Sequence, residues 1–95
     1  MPVSLIVLIE VQPGKADQQL RAFDAIAPLV RAETGCLEYR LHRVAGSESQ
    51  FVLTEQWESS EALAAHDVAP HMVEADRNNK SFRAGPATVL NLIAV

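Results

Sequence analysis

Two runs of aliphatic and β-branched residues stand near the ends of the chain, and they restrict its fold more than anything between them. In a strand, alternate side chains point to opposite faces. The first run, VSLIVLIEVQ at 3–12, therefore sets Val3, Leu5, Val7, Ile9 and Val11 on one side and Ile6 and Leu8 on the other. The second, at 87–95, repeats the pattern, with Val89, Ile93 and Val95 opposed to Leu90 and Leu92; Asn91 is its one polar exception. Strands apolar on both sides are expected to be covered twice.

The segments between them alternate in type. Pro13-Gly14 ends the first strand. Over 15–33, Leu20, Phe23, Ile26 or Ala27, and Val30 recur at helical spacing, while Gln18, Gln19, Asp24 and Arg31 lie off that stripe. Pro28 predicts a kink or an early end, and Thr34-Gly35 a stop. Residues 36–45 alternate as a half-buried strand, with Leu37, Tyr39 and Leu41 inward and Glu38, Arg40 and His42 outward. Gly46 to Ser49 can close a hairpin onto a strand at 50–58. Ser59 or Ser60 can cap a short helix with Glu61 in its first turn, and Asp67 to Ala69 should end it. Pro70 suits the start of the next helix, to about 80. That helix has a poor apolar stripe, so it is either mostly exposed or borders a polar cavity. The order is β-α-β-β-α-β with the second helical region broken in two. This predicts an α+β, ferredoxin-like split βαβ fold over 1–95 as a single domain, an antiparallel sheet with helices on one face. The other face would be bare and apolar, which predicts a homodimer packed sheet to sheet.

Composition narrows the partners. A formal net charge of −4 without a basic cluster makes nucleic acid and anionic membrane poor candidates. The single cysteine, Cys36, has no internal disulfide partner, which fits a reducing compartment. The apolar N-terminal run has no basic leader region and is interrupted by Glu10, so a cytoplasmic location is expected. No GxGxxG, GxxxxGK[ST], CxxC or HExxH pattern occurs, and Pro70 separates His66 from His71. No metal or cofactor site is expected.

The chemistry concentrates in QFVLTEQWESSEALAAHDVAPH at 50–71. Phe51, Leu53, Glu55 and Trp57 share a strand face. An acid on an apolar face needs a partner, a shifted pKa or a function. Glu55 could be a structural acid beside a core Trp57, or a proton acceptor beside a cavity wall. His66 could be a surface histidine at a helix end. His71 lies in a first helical turn, where a neutral imidazole is favoured. Tyr39 could be core or a phenolic donor into the same cavity.

Four stretches resemble the antibiotic biosynthesis monooxygenase family: the opening strand with Pro13-Gly14, Glu33-Thr34-Gly35-Cys36-Leu37-Glu38-Tyr39, Glu55-Gln56-Trp57-Glu58-Ser59, and Ala65-His66 with Ala69-Pro70-His71-Met72. The resemblance implies a dimeric α+β barrel. It also implies oxidation of a phenolic or quinol-like aromatic by O2 without metal or flavin. In that reading His66, His71 and Glu55 handle protons, and Trp57, Tyr39, Phe51 and Met72 bind the ring. A haem-degrading branch is disfavoured, because its Asn, Trp and His positions hold Val7, His66 and Asp76 here. A branch acting on phosphorylated autoinducer-2 remains an alternative, with Arg40, Arg77, Lys80 and Arg83 as candidate phosphate contacts. A non-catalytic dimeric binding module is a third.

Overall fold

The computed structural model describes residues 2–95. In chain order they form β1 (Val3–Glu10), α1 (Ala16–Arg31), β2 (Cys36–Arg43), β3 (Gln50–Trp57), α2 (Ser60–Asp67), α3 (Pro70–Asn79) and β4 (Thr88–Leu92). The four strands make one sheet in the order β2-β3-β1-β4, every pairing antiparallel. This is the ferredoxin-like topology predicted from the order of elements, with the apolar opening strand central.

One sheet face packs on the helices. Leu5, Val7, Ile9, Tyr39, Phe51, Leu53 and Trp57 are buried there with Val11, Ala27, Val30 and Phe82. Register fixes which side chains meet: Tyr39, Glu55, Leu5 and Asn91 form one row across the sheet, and Leu41, Leu53, Val7 and Val89 the next. The opposite face carries Ile6, Leu8, Val52 and Leu90, joined by cross-strand pairing of Ile6 with Leu90 and Leu8 with Val52. Leu8, Leu90 and Leu92 are 41%, 45% and 46% exposed. The second layer that such strands require is therefore not supplied within one chain.

Several local expectations change. The α1 helix does not stop at Pro28 but runs to Arg31. Pro28 and Asp24 are both exposed, so water can serve the Asp24 carbonyl that the proline leaves unpaired. Leu37 is 54% exposed instead of inward, because the β2–β3 register slips between Cys36 and Glu38 and the extra residue turns out. Gln19, which spacing places off the apolar stripe of α1, is only 3% exposed.

Gly35 makes the tightest approach in the fold. Its φ is +84°, and a Cβ there would lie 2.7 Å from the Ala62 Cβ. Its carbonyl accepts from the Glu58 N–H at 2.8 Å. The turn at 33–35 is thereby clamped against the start of α2, where the Ser59 hydroxyl caps the Ala62 N–H.

Candidate active site: a cavity with a buried carboxylate–imidazole chain

Between the sheet and the helices lies a cavity of about 350 Å³. Its floor is the two sheet rows, including Tyr39, Glu55, Leu53 and Val7; its walls come from Phe23 and Ile26 of α1, Leu63 and His66 of α2, and Met72, Ala75, Asp76 and Asn79 of α3. The spacing 72, 75, 76, 79 is one helical face. The weak apolar stripe of α3 is thus a cavity wall, and every residue of α3 is at least partly exposed.

The β3 strand brings Glu55 and Trp57 inward together, as alternation required. Glu55 is 6% exposed and Trp57 fully buried. The indole Nε1–H donates to Glu55 Oε1 at 2.9 Å. Burial pushes the Glu55 carboxyl above its usual range; the Trp57 hydrogen bond and nearby His66 oppose that shift, and Asp67 and Glu33 add to it.

His66, a candidate surface residue by sequence, is 2% exposed. Its Nδ1 lies 3.1 Å from both oxygens of Glu33. His71 Nε2 is 2.6 Å from Glu33 Oε2. An ionised carboxylate only accepts, so His66 Nδ1 and His71 Nε2 carry the protons. That tautomer leaves the His66 Nε2 lone pair facing Glu55 Oε1 at 3.8 Å, too long for a hydrogen bond but open to one with a bound group. The chain Glu55, His66, Glu33, His71 runs outward, with side-chain exposures of 6%, 3%, 15% and 26%.

An aromatic file accompanies it. Phe23 stacks on Tyr39 at 5.6 Å, Tyr39 meets the His66 edge at 5.8 Å, and Trp57 tilts on His66 at 4.5 Å. Arg31 Nε and Nη2 both donate to the Tyr39 carbonyl, at 3.2 and 2.8 Å, which ties this row to the end of α1. Burial, followed by the Glu55 charge, raises the Tyr39 phenol, so it stays protonated.

Of the residues singled out from sequence, Glu55, His66, Tyr39 and Met72 line the cavity. Trp57 does not; it sits behind Glu55 and His66, so the wall expected of it is provided by Tyr39 and Phe23. Phe51 lies beyond Leu53 in the sheet and lines a separate recess on the Val52 side. His71 touches the site only through Glu33. Four residues of the cavity or the chain have no place in a site that the sequence alone assigns: Glu33, Phe23, Gln19 and Asn91. Asn91 alone stands out, as an amide in an otherwise apolar strand. Cys36 is partly buried, its thiol raised by burial and by the charges of Glu33 and Glu55. Among the described residues no group of three or more His, Cys, Asp or Glu is placed to hold a metal ion, and no helix is long and apolar enough to cross a membrane.

The fold has close counterparts. The Pseudomonas aeruginosa protein PA3566 is 31% identical, with a TM-score of 0.90 over 99% of this chain and 94% of that one. Rv0793 from Mycobacterium tuberculosis is 30% identical, with a TM-score of 0.87 over 100% and 96%. No functionally curated protein matches the chain. The family model described as antibiotic biosynthesis monooxygenase matches residues 2–78, which span β1 through nearly all of α3 and so contain Glu33, Glu55, Trp57, His66 and His71; the chain belongs to that family.

Proposed function

We propose that the chain is an oxygenase that oxidises a phenolic or quinol-like aromatic with O2, working as a homodimer. The observation that carries this reading is the cavity itself: an aromatic wall of Tyr39 and Phe23 beside an imidazole whose free nitrogen faces inward. His66 Nε2 takes the phenol proton, and Glu55 stabilises the imidazolium that results. Glu33 holds His66 in the required tautomer, and its negative charge beside both rings stabilises the imidazolium. The phenolate is then electron-rich at the ring carbons ortho and para to its oxygen, and the one that reacts bears hydrogen: the para carbon of a simple phenol, an ortho carbon of a hydroquinone. That carbon bonds to O2 and becomes a hydroperoxide. Loss of the ring proton and departure of water leave a quinone, so one oxygen atom enters the product and the other leaves as H2O. The protein contributes a dry chamber, a fixed ring and a proton acceptor.

Trp57 is a positioning residue in this scheme, because it holds Glu55 and packs on His66 without reaching the cavity. The face made by half-buried Ile6 and exposed Leu8, Leu90 and Leu92 supports the dimer, since an apolar sheet face of this kind is rare on a monomer. A second reading, an isomerase or degrading enzyme for a phosphorylated small molecule, is favoured by one observation: Arg83 lines the cavity and Lys80 the recess beside it.

Oxygen uptake by metal-free, flavin-free protein across a panel of hydroquinones and naphthols tests the reading. Consumption above the buffer rate is expected, with His66→Ala and Glu55→Gln lowering it about 100-fold or more. Uptake no faster than buffer across the panel, or uptake indifferent to both substitutions, would overturn it.

A further inference from the structure

The end of the cavity away from His66 has a different character. Met72 and Asn79 lie on one helical face, two turns or about 10 Å apart along α3. Where α3 ends, Arg83 enters the wall, with Asn79 and Gln19 contributing amides. Its backbone is pinned: Val11 and Arg83 form a β-bridge, and the Gln12 amide donates to the Arg83 carbonyl at 3.1 Å. The side chain is pinned as well, because Nε donates to the buried Gln19 Oε1 at 3.2 Å. Gln19 is neutral, and Arg83 makes no ion pair among the described residues. Asp76, the acid in the wall whose charge acts on Arg83, is exposed. Burial lowers the Arg83 pKa, with Asp76 opposing the shift, which is the signature of a cation short of a counter-ion.

A guanidinium held by one edge, with its terminal nitrogens unspent, presents the fork that a carboxylate fits. We propose that the cavity selects aromatic acids: the carboxylate of a hydroxyaryl carboxylic acid seats on Arg83 beside Asn79, and the ring extends past Met72 so that its phenol reaches His66. This inference rests on the aromatic-oxidation reading above and names its substrate class. A cavity of about 350 Å³ suits a ligand of one or two rings. Arg83 is then a specificity-determining residue outside the proton chain.

The test is a binding experiment and needs no turnover. Dissociation constants are measured for 6-hydroxy-2-naphthoate, its methyl ester and 6-hydroxy-2-naphthyl phosphate, on the wild type, Arg83→Met and Arg83→Lys. The acid is expected to bind the wild type at least about tenfold more tightly than the ester. Arg83→Met should erase that preference while leaving ester affinity unchanged, and Arg83→Lys should restore part of it. Equal affinity for acid and ester in the wild type overturns the proposal, and this arm decides even if the Met variant fails to fold. Tighter binding of the phosphate than of the acid also overturns it, in favour of a phosphorylated substrate. If the acid preference is absent while hydroquinones are still oxidised, only the acid seat is lost; if oxygen uptake is absent too, the function proposed above falls with it.

Discussion

The bond between Trp57 and Glu55 can be weighed with a double-mutant cycle at two pH values. The indole is fully buried and the carboxylate 6% exposed, so water cannot replace either partner. A hydrogen bond to a charged group contributes about 1.5–3 kcal/mol, and a neutral one about 0.5–1.5 kcal/mol. In Glu55→Gln the amide oxygen still accepts from the indole, at neutral strength. The cycle of Trp57→Phe with Glu55→Gln therefore reads the excess due to charge, about 1–2 kcal/mol when Glu55 is ionised. Burial raises the Glu55 carboxyl above the 4.5 of an ordinary glutamate. The folded state thus binds a proton that the unfolded state has already released over the window above 4.5. Wild-type stability falls as pH rises through that window, by about 1.4 kcal/mol for each tenfold difference in proton affinity between the folded and unfolded carboxyl. Glu55→Gln should not show that fall. The coupling should be near zero at acid pH, where Glu55 is neutral, and reach its full size only where the pH is high enough to ionise the raised carboxyl. Urea unfolding followed by far-ultraviolet circular dichroism is the assay, because Trp57 is the sole tryptophan and its replacement removes the fluorophore. A coupling of equal size at both pH values would refute the account of Glu55 as a buried, ionising partner of the indole.

Three further outcomes are expected. Glu33→Ala removes the acceptor shared by His66 and His71 and should lower stability by about 1–3 kcal/mol; an unchanged thermal midpoint would mean the clamp is idle. Gly35→Ala meets both a positive φ and the Ala62 side chain, and should cost about 2–4 kcal/mol in a denaturant titration. Leu90→Lys places a charge in the apolar outer face and should turn a dimer into a monomer by sedimentation velocity; a wild type already monomeric at micromolar concentration would discard the sheet-to-sheet assembly.

The fold is readable because local signals agree. Strand periodicity, the Ser59 cap, Pro70 at a helix start and glycine turns all specify one order of elements. The row Phe51, Leu53, Glu55, Trp57 follows from period-two alternation alone. Depth is harder to read. Alternation says that Trp57 and Glu55 face the same way, but not that His66 slides between the indole and the chamber. Glu33 is invisible as a functional residue because it lies in a turn, and its meeting with two histidines from α2 and α3 depends on how Gly35 lets those helices approach. Gln19 misleads because a polar residue beside an apolar stripe is ordinarily solvated; here it answers a guanidinium 64 positions later. Leu37 misleads because a slipped register changes facing without leaving a mark in the local pattern.

The outermost strand binds these regions to one another. β4 is five residues long and exposed throughout, with Val89 and Asn91 edging the chamber and Leu90 directed to the opposite surface. Neighbouring residues on one thin ribbon thus serve unrelated purposes. A substitution that widens the lip for a bulkier guest also tugs on whatever rests against Leu90. Ligand preference and any contact made through Leu90 should consequently change together, and libraries that diversify positions 88–92 for new substrates will need to be screened for assembly in the same round.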